Sequence, residues 1–281
     1  MGTRSADQQT GPTLLATDLD GTLIPLDGEP QNRQDLQTLA ALLERLGVAL
    51  IYVTGRHLES VERAIDEHQM PRPDWLICDV GTSIYQHCDG EHFQLLEAYA
   101  QHEDEIIASC PLSELRGRLA AVEGLRLQED EKQGRFKLSY YVNAEHRQDI
   151  VDAVQRRLDG EQLPYSIVAS VDPFTGDGLI DLLPSQVSKA HALRWWTQQQ
   201  GCDPHCLVFA GDSGNDLAAL TAGFRAIVVG NADREVAQQV QEHHRRAGWS
   251  DRLYLAKRSA TSGVLEGCRW FGLVPPEGSS V

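Results

Sequence analysis

No apolar run in this chain approaches the ~18 to 20 residues that a membrane span needs, which excludes a membrane partner of that kind. The opening MGTRSADQQTGP has no apolar segment of the sort that directs secretion, and it reads as a short disordered tail. Gly2 sits where an acylated glycine would, but Ala6 stands where that signal wants Ser or Thr. Positive charge is also scarce: 25 Lys and Arg against 41 Asp and Glu leave a formal net charge of −16. Phosphate backbones want a basic stripe and none is visible, so nucleic acid is left out as a partner. The deficit does not exclude a small anionic substrate, because Lys, Arg, backbone N–H groups and a cation, clustered locally, overcome the global field. Paired cysteines are lacking too. Cys78, Cys88, Cys110, Cys202, Cys206 and Cys268 are scattered through a chain too large to need staples, which predicts reduced thiols and a cytoplasmic protein. The compact CDPHC, Cys202 to Cys206, has no second ligand pair elsewhere and reads as a loop before a strand rather than a zinc site. Internal repeats and low-complexity segments are absent.

What is present is an alternation of apolar patterns. An apolar fraction of 41% over 281 residues is ample for buried cores and suggests about two domains. Leu14 to Thr17 is a short buried strand. From Asp35, the positions Leu36, Leu39, Ala40, Leu43 and Leu46 follow helical spacing until Gly47 stops them. The strand VALIYVT, the helix GRHLESVERAIDEH and the strand WLICDVG follow. The C-terminal half resumes with helices and strands through CLVFAGD, AIVVGNA and RLYLAK, and ends on the helix GVLEGCRWFGL. Such spacing is the signature of a parallel sheet with helices on its faces. Between the halves the texture changes: RFKLSYYVN puts Phe136, Leu138, Tyr140 and Val142 on one face, as in a strand half open to solvent, and EHRQDIVDAVQRRL is an amphipathic helix. The expected fold is therefore α/β, a Rossmann-like parallel-sheet core (residues 13–87 and 180–281) with an inserted mixed α/β lid domain (residues 88–179).

Ligands of open α/β sheets bind beyond the carboxyl ends of the strands. Asp18 and Asp20, Thr54 and Asp212 all follow apolar strands and are expected at one rim. Residues i and i+2 of an extended segment point the same way, which lets both aspartates address one ligand. Two carboxylates at one site repel, and a divalent cation is the common remedy; Asp212 and Asp216 of GDSGND add hard oxygen ligands that favour Mg²⁺. A carboxylate-held metal with a nearby Lys and hydroxyl fits phosphoryl transfer. One aspartate then serves as nucleophile and its neighbour as proton donor.

At these residues the chain resembles the haloacid dehalogenase-like superfamily: DLDGTL, VTGR, the Lys189 of SKAHAL and GDSGND look like its four motifs, in order. VGTSIY, FKLSYYV, IDLLPSQVSKAHAL, VVGNA and LYLAKRSATSGVLEG are further similar to sucrose-phosphate phosphatases and related glycosyl-phosphate enzymes, from about Leu14 to about Phe271. The resemblance implies that Asp18 is the nucleophile and Asp20 the general acid, then the base that activates water. It implies Mg²⁺ bound by the carboxylates of Asp18 and Asp212 and the backbone carbonyl of Asp20, with Asp216 and Asn215 supporting that shell or orienting Lys189. Thr54 and Lys189 would hold the phosphoryl oxygens, with Gly55 offering a close backbone N–H. Arg56, Thr82, Lys137 and Asn231 are candidate substrate residues; Lys137 has the alternative of an ordinary exposed strand lysine, and Lys189 that of a solvated helix residue. Tyr140 and at least one of Trp195 and Trp196 are expected in the core. Two departures put the sugar in doubt: Ser83 stands where the family usually has a glutamate, and the stretch Val171 to Asp177 is longer than in the short cyanobacterial-type enzymes. The implied activity is a Mg²⁺-dependent sugar or glycosyl phosphatase, first of all on sucrose 6-phosphate, with a sucrose-phosphate synthase as potential partner. A phosphohexose mutase and a non-catalytic sugar-phosphate sensor or partner subunit are the alternatives.

Overall fold

The computed structural model describes residues 11–88, 92–171 and 175–278. Its first elements are β1 (Leu14–Thr17), α1 (Pro30–Leu46), β2 (Ala49–Val53), α2 (Leu58–His68) and β3 (Trp75–Cys78). Then come β4 (Ser83–Cys88), β5 (His92–Leu95), α3 (Glu97–Ile106), α4 (Leu112–Leu119), β6 (Arg126–Leu127), β7 (Leu138–Val142) and α5 (Arg147–Glu161). The chain continues through β8 (Tyr165–Val171), β9 (Gly178–Pro184), α6 (Lys189–Gln199), β10 (Leu207–Gly211) and α7 (Leu217–Leu220). It closes with β11 (Arg225–Val228), α8 (Arg234–Ala247), β12 (Leu253–Leu255) and α9 (Ala260–Trp270). The described residues form two compact units: one takes in the chain up to Tyr52, Ile65–Asp74 and everything from Trp196, and the other is Val53–Ala64 with Trp75–Trp195. Among the described residues, no helix is long and apolar enough to cross a membrane.

The first unit is a parallel sheet in the order β12-β11-β10-β1-β2. Its central strands, LLAT and LVFAG, are buried along their whole length, as parallel strands covered on both faces must be, so they read as continuous apolar runs. From β1 the chain passes through α1 to β2 on one side, whereas β10, β11 and β12 build outward on the other. The strand order therefore reverses between β1 and β10. The helix expected from Asp35 starts five residues earlier, at Pro30, a residue pre-set for a first helical turn but invisible to apolar periodicity. Leu36, Leu39 and Leu43 face the core, Ala40 is half-buried and Leu46 is exposed. Gly47 ends the helix as expected, in the left-handed conformation (φ 64°) with its N–H on the Glu44 carbonyl.

The second unit holds an antiparallel sheet, β6-β7-β9-β8, and the antiparallel set β3-β4-β5. Phe136, Leu138, Tyr140 and Val142 lie in one apolar core with Leu115 of α4, Val154 and Leu158 of α5, and Ile180 and Leu182 of β9. The strand is not half open at Ser139, however: that side chain is buried and its hydroxyl donates to Asp181 Oδ1 on the paired β9 at 2.5 Å. A polar pair inside the sheet replaces the solvent that the alternation predicted. β4, β5, α3 and α4 did not stand out in the sequence. Trp196 is buried, and Trp195 packs edge-on against Tyr99.

Candidate active site

Asp18 follows β1 and Asp212 follows β10, the two neighbouring strands between which the order reverses, where open α/β sheets bind their ligands. The Asp18 N–H donates to the Ala210 carbonyl (2.9 Å), which extends the β1–β10 pairing to the residue that carries the carboxylate. One oxygen each of Asp18, Asp212 and Asp216 lies within 4.8 Å of the other two. Two glycines make this approach possible. A Cβ on Gly21 (φ 72°) would sit 2.5 Å from Asp212 Oδ2, and one on Gly211 would sit 2.7 Å from the Asp216 Cβ. Thr22 Oγ1 donates to Asp212 Oδ1 at 2.7 Å and fixes the carboxylate's rotation. Buried Asp216 accepts from the N–H groups of Asp212 and Ser213, both at 3.1 Å, so it shapes the loop as well as joining the cluster. Three converging carboxylates are a hard oxygen donor set, and they fit a divalent cation such as Mg²⁺.

The extended-segment argument for Asp18 and Asp20 needs correction. The strand stops at Thr17, and the Leu19 carbonyl accepts from the N–H groups of Thr22, Leu23 and Ile24. Asp20 therefore lies in a turn, between core residue Leu19 and left-handed Gly21, and is exposed; its carboxylate is not in the three-residue group. Asn215 is exposed and accepts from Ser213 Oγ (3.0 Å). Asn231 ties two loops together: its Nδ2 donates to the Gly21 carbonyl and its Oδ1 accepts from Ala260 N, both at 2.7 Å. That gives its side chain a structural task next to Gly21.

The other residues belong to the second unit. Thr54 is fully buried; its N–H donates to the Ile77 carbonyl (2.8 Å) and its hydroxyl accepts from Arg56 N (3.2 Å). Gly55 has no left-handed φ, and a Cβ there would meet only Val80 Cγ2 at 3.8 Å, so nothing within the chain demands a glycine. Arg56 Nη1 donates to Ser60, to its carbonyl and to its hydroxyl, at 3.3 Å each. Thr82 is buried and its hydroxyl donates to the Asp79 carbonyl (3.2 Å), closing the Asp79–Thr82 turn. Lys189 opens α6 and is fully buried, which removes its reading as a solvated helix lysine. Its backbone is held by Gly81, at φ 104°: a Cβ there would fall 2.4 Å from the Ser188 carbonyl oxygen and 2.8 Å from Lys189 N.

Lys137 is no exposed strand lysine. It is buried, and its Nζ lies 2.6 Å from Asp79 Oδ1. Burial pushes the Asp79 carboxyl above the usual carboxylate range, against the opposing pull of Lys137. Asp79 and Val80 both adopt left-handed conformations (φ 51° and 61°), a strain that non-glycine residues carry where the fold over-determines them. Asp79 and Ser83 line a cavity of about 570 Å³ with His57, Tyr85, Glu131 and Arg135. It is rich in hydroxyl, carboxylate and guanidinium groups that match polyhydroxylated ligands. Of the Val171–Asp177 stretch, residues 172–174 lie outside the described residues. Cys202 and Cys206 are free thiols flanking a short turn into β10, in line with a loop.

The profile of the family described as sucrose-6F-phosphate phosphohydrolase matches residues 11–272. The chain belongs to that family. A putative HAD-like hydrolase of Nitrosococcus oceani is 38% identical over 92% of this chain and 71% of its own length. The mannosylfructose-phosphate phosphatase of Agrobacterium fabrum is 27% identical over 93% of the chain and 98% of its own length. Among solved structures, the sucrose-phosphatase of Synechocystis in complex with sucrose and phosphate superposes with a TM-score of 0.71 at 24% identity, covering 94% of this chain and 99% of that one. At that identity the likeness speaks for the fold. The chain is accordingly a phosphatase of the haloacid dehalogenase-like superfamily, in a family of sugar-phosphate phosphatases.

Within this family frame, residue-by-residue reading missed Gly81 and Asp79. Gly81 was visible as the glycine of VGTSIY, whose steric task appears only once α6 packs on it. Asp79 had no signal, because its partner Lys137 is far away in sequence.

Proposed function

We propose that this chain hydrolyses a sugar or glycosyl monophosphate, with sucrose 6-phosphate as first candidate, through an aspartyl-phosphate on Asp18. The observation that carries the proposal is the convergence of Asp18, Asp212 and Asp216 where the strand order reverses. An Asp18 oxygen attacks phosphorus, the bond from phosphorus to the sugar oxygen breaks, and Asp20 gives that oxygen its proton. Asp20 then takes a proton from the water that attacks the phosphorus, and Asp18 leaves as carboxylate with release of phosphate. The exposed turn at Asp20 suits a group that must exchange protons with substrate and water in turn. Thr54, Lys189 and the Gly55 N–H hold phosphoryl oxygens; the absence of any internal need for glycine at Gly55 supports close approach by a ligand. Asn215 keeps the GDSGND loop in shape.

Mg²⁺ is the cation this donor set fits. Asp18, Asp212 and the Asp20 carbonyl would hold it, with Asp216 behind them, and it would neutralise charge on the transferring phosphoryl group. Residues 88–179 are read as an inserted lid in a core of residues 13–87 and 180–281. Lys137, with Asp79, and Arg56 and Thr82 are the candidate specificity residues, and Ser83 in place of a glutamate sets the sugar preference. Asn231 acts through the Gly21 loop. A sucrose-phosphate synthase is the partner this reading implies, and the free thiols favour the cytoplasm. The test is phosphate release from sucrose 6-phosphate, mannosylfructose phosphate and simple hexose phosphates, with Mg²⁺ or chelator. Selective Mg²⁺-dependent release from sucrose 6-phosphate is expected; release from another glycosyl phosphate alone overturns the sugar, and isomerisation of hexose phosphates without release overturns the reaction in favour of a mutase.

A further inference from the structure

Helices α3 and α6 bring together three side chains that the phosphatase chemistry does not use. His102 and Glu103 stand on α3 and His191 on α6, and one ligand atom of each lies within 4.8 Å of the other two. The two imidazole Nε2 atoms are 3.3 Å apart, with the rings inclined by only 6°. Two nitrogens bound to one tetrahedral zinc ion at about 2.05 Å are separated by about 3.3 Å. Both imidazoles are half-buried, so a small ion reaches them from solvent.

Glu103 supplies the independent observation. It is fully buried, and neither carboxylate oxygen has a hydrogen-bond partner among the described residues. Tyr99 lies beside it, but the Tyr99 hydroxyl proton goes to the Gly81 carbonyl at 2.6 Å. Burying a carboxylate without a partner is costly, and such a group calls for a proton or a cation. A proton shared by His102 and His191 would satisfy the rings alone, and a proton on Glu103 that carboxyl alone; one cation serves all three.

We propose that His102, Glu103 and His191 bind a divalent transition-metal ion of the zinc type, with the fourth position open to water. Imidazole ligands separate this donor set from the all-oxygen cluster of Asp18, Asp212 and Asp216, which suits a harder ion. A bound ion would fasten α3 to α6 two residues beyond Lys189 and brace the seat that Gly81 provides for that helix.

The experiment uses the full chain in millimolar Mg²⁺, so that hard oxygen sites are occupied. Zn²⁺ binding is read by competition with a chromophoric chelator, and Co²⁺ substitution by its visible absorption. One tight equivalent is expected, with the strong absorption of a four-coordinate cobalt ion. His102→Asn and His191→Asn should each weaken Zn²⁺ binding more than about tenfold, whereas a Cys202→Ser/Cys206→Ser variant keeps it. Zn²⁺ should raise the melting temperature of the wild type and leave that of His191→Asn unchanged. Unaltered binding in both His variants, or only the weak cobalt absorption of a six-coordinate oxygen site in the wild type, overturns the proposal. The cobalt spectrum needs no variant to fold.

Discussion

The two compact units hold their carboxylates by different means. At the end of β1 and β10, Asp212 and Asp216 are placed by backbone: glycines that leave room for them, peptide N–H groups that donate to Asp216, and the neighbouring Thr22 hydroxyl. In the second unit, Asp79 is held on a strained backbone and faced by a buried ammonium from a distant segment. The first arrangement leaves acidic groups facing one another and therefore ready for a cation. The second pairs charge with charge beside a turn that the Thr82 hydroxyl closes onto the Asp79 carbonyl and in which Gly81 lies against the start of α6. Converging carboxylates are thus set by local turns in one unit, and a buried ion pair by long-range packing in the other.

The largest expected effect tests the first arrangement. Asp18→Asn should lower turnover by a factor of about 10³ or more, the scale on which removal of a catalytic nucleophile acts, while leaving the melting temperature near that of the wild type. Asp20→Asn should slow both leaving-group departure and dephosphorylation, seen as a smaller burst and a slower steady state. Two glycine variants then sharpen the contrast between room for chain and room for ligand. Gly81→Ala forces a Cβ against the Ser188 carbonyl at a left-handed φ and should cost about 3 kcal/mol or more in urea unfolding. Gly55→Ala meets no such obstacle and should cost under about 1 kcal/mol, yet raise KM if phosphate approaches that N–H.

Lys137→Met tests the ion pair. Removing one partner of a buried pair costs on the order of 3 kcal/mol when the other remains charged. The folded-state Asp79 carboxyl already lies above its ordinary value, so its contribution is present at low pH and lost as pH rises through the folded value. Without the downward pull of Lys137 that value rises further. The variant should therefore be closer to wild type at pH 5 than at pH 8 in urea unfolding; an equal loss at both would place the cost in packing rather than charge. Asn231→Ala, which loses the contacts to Gly21 and Ala260, should cost less than Lys137→Met does at pH 8, about 1 to 2 kcal/mol in the same assay.

The division also explains what was legible in the sequence. β1, β2 and β10 were readable because buried parallel strands are continuous apolar runs, and Asp18, Asp212 and Asp216 because each follows a strand end within a few residues. Strand-end logic failed at Asp20, where the chain turns at Leu19 rather than continuing extended. The start of α1 was hidden because its first turn, from Pro30, is polar outside the apolar stripe. The Asp79–Lys137 pair, the Ser139–Asp181 pair and the His102–Glu103–His191 group join residues distant in sequence, and no local pattern announces them.

The central claim is that Asp18 becomes phosphorylated. The most direct measurement is rapid quench of the enzyme with a turning-over glycosyl phosphate and Mg²⁺, borohydride reduction of any acyl phosphate, and peptide mass analysis. The account predicts homoserine at position 18 and unmodified aspartate at positions 20 and 212. Homoserine at another aspartate, or none while the sugar is released in a burst ahead of phosphate, would contradict it.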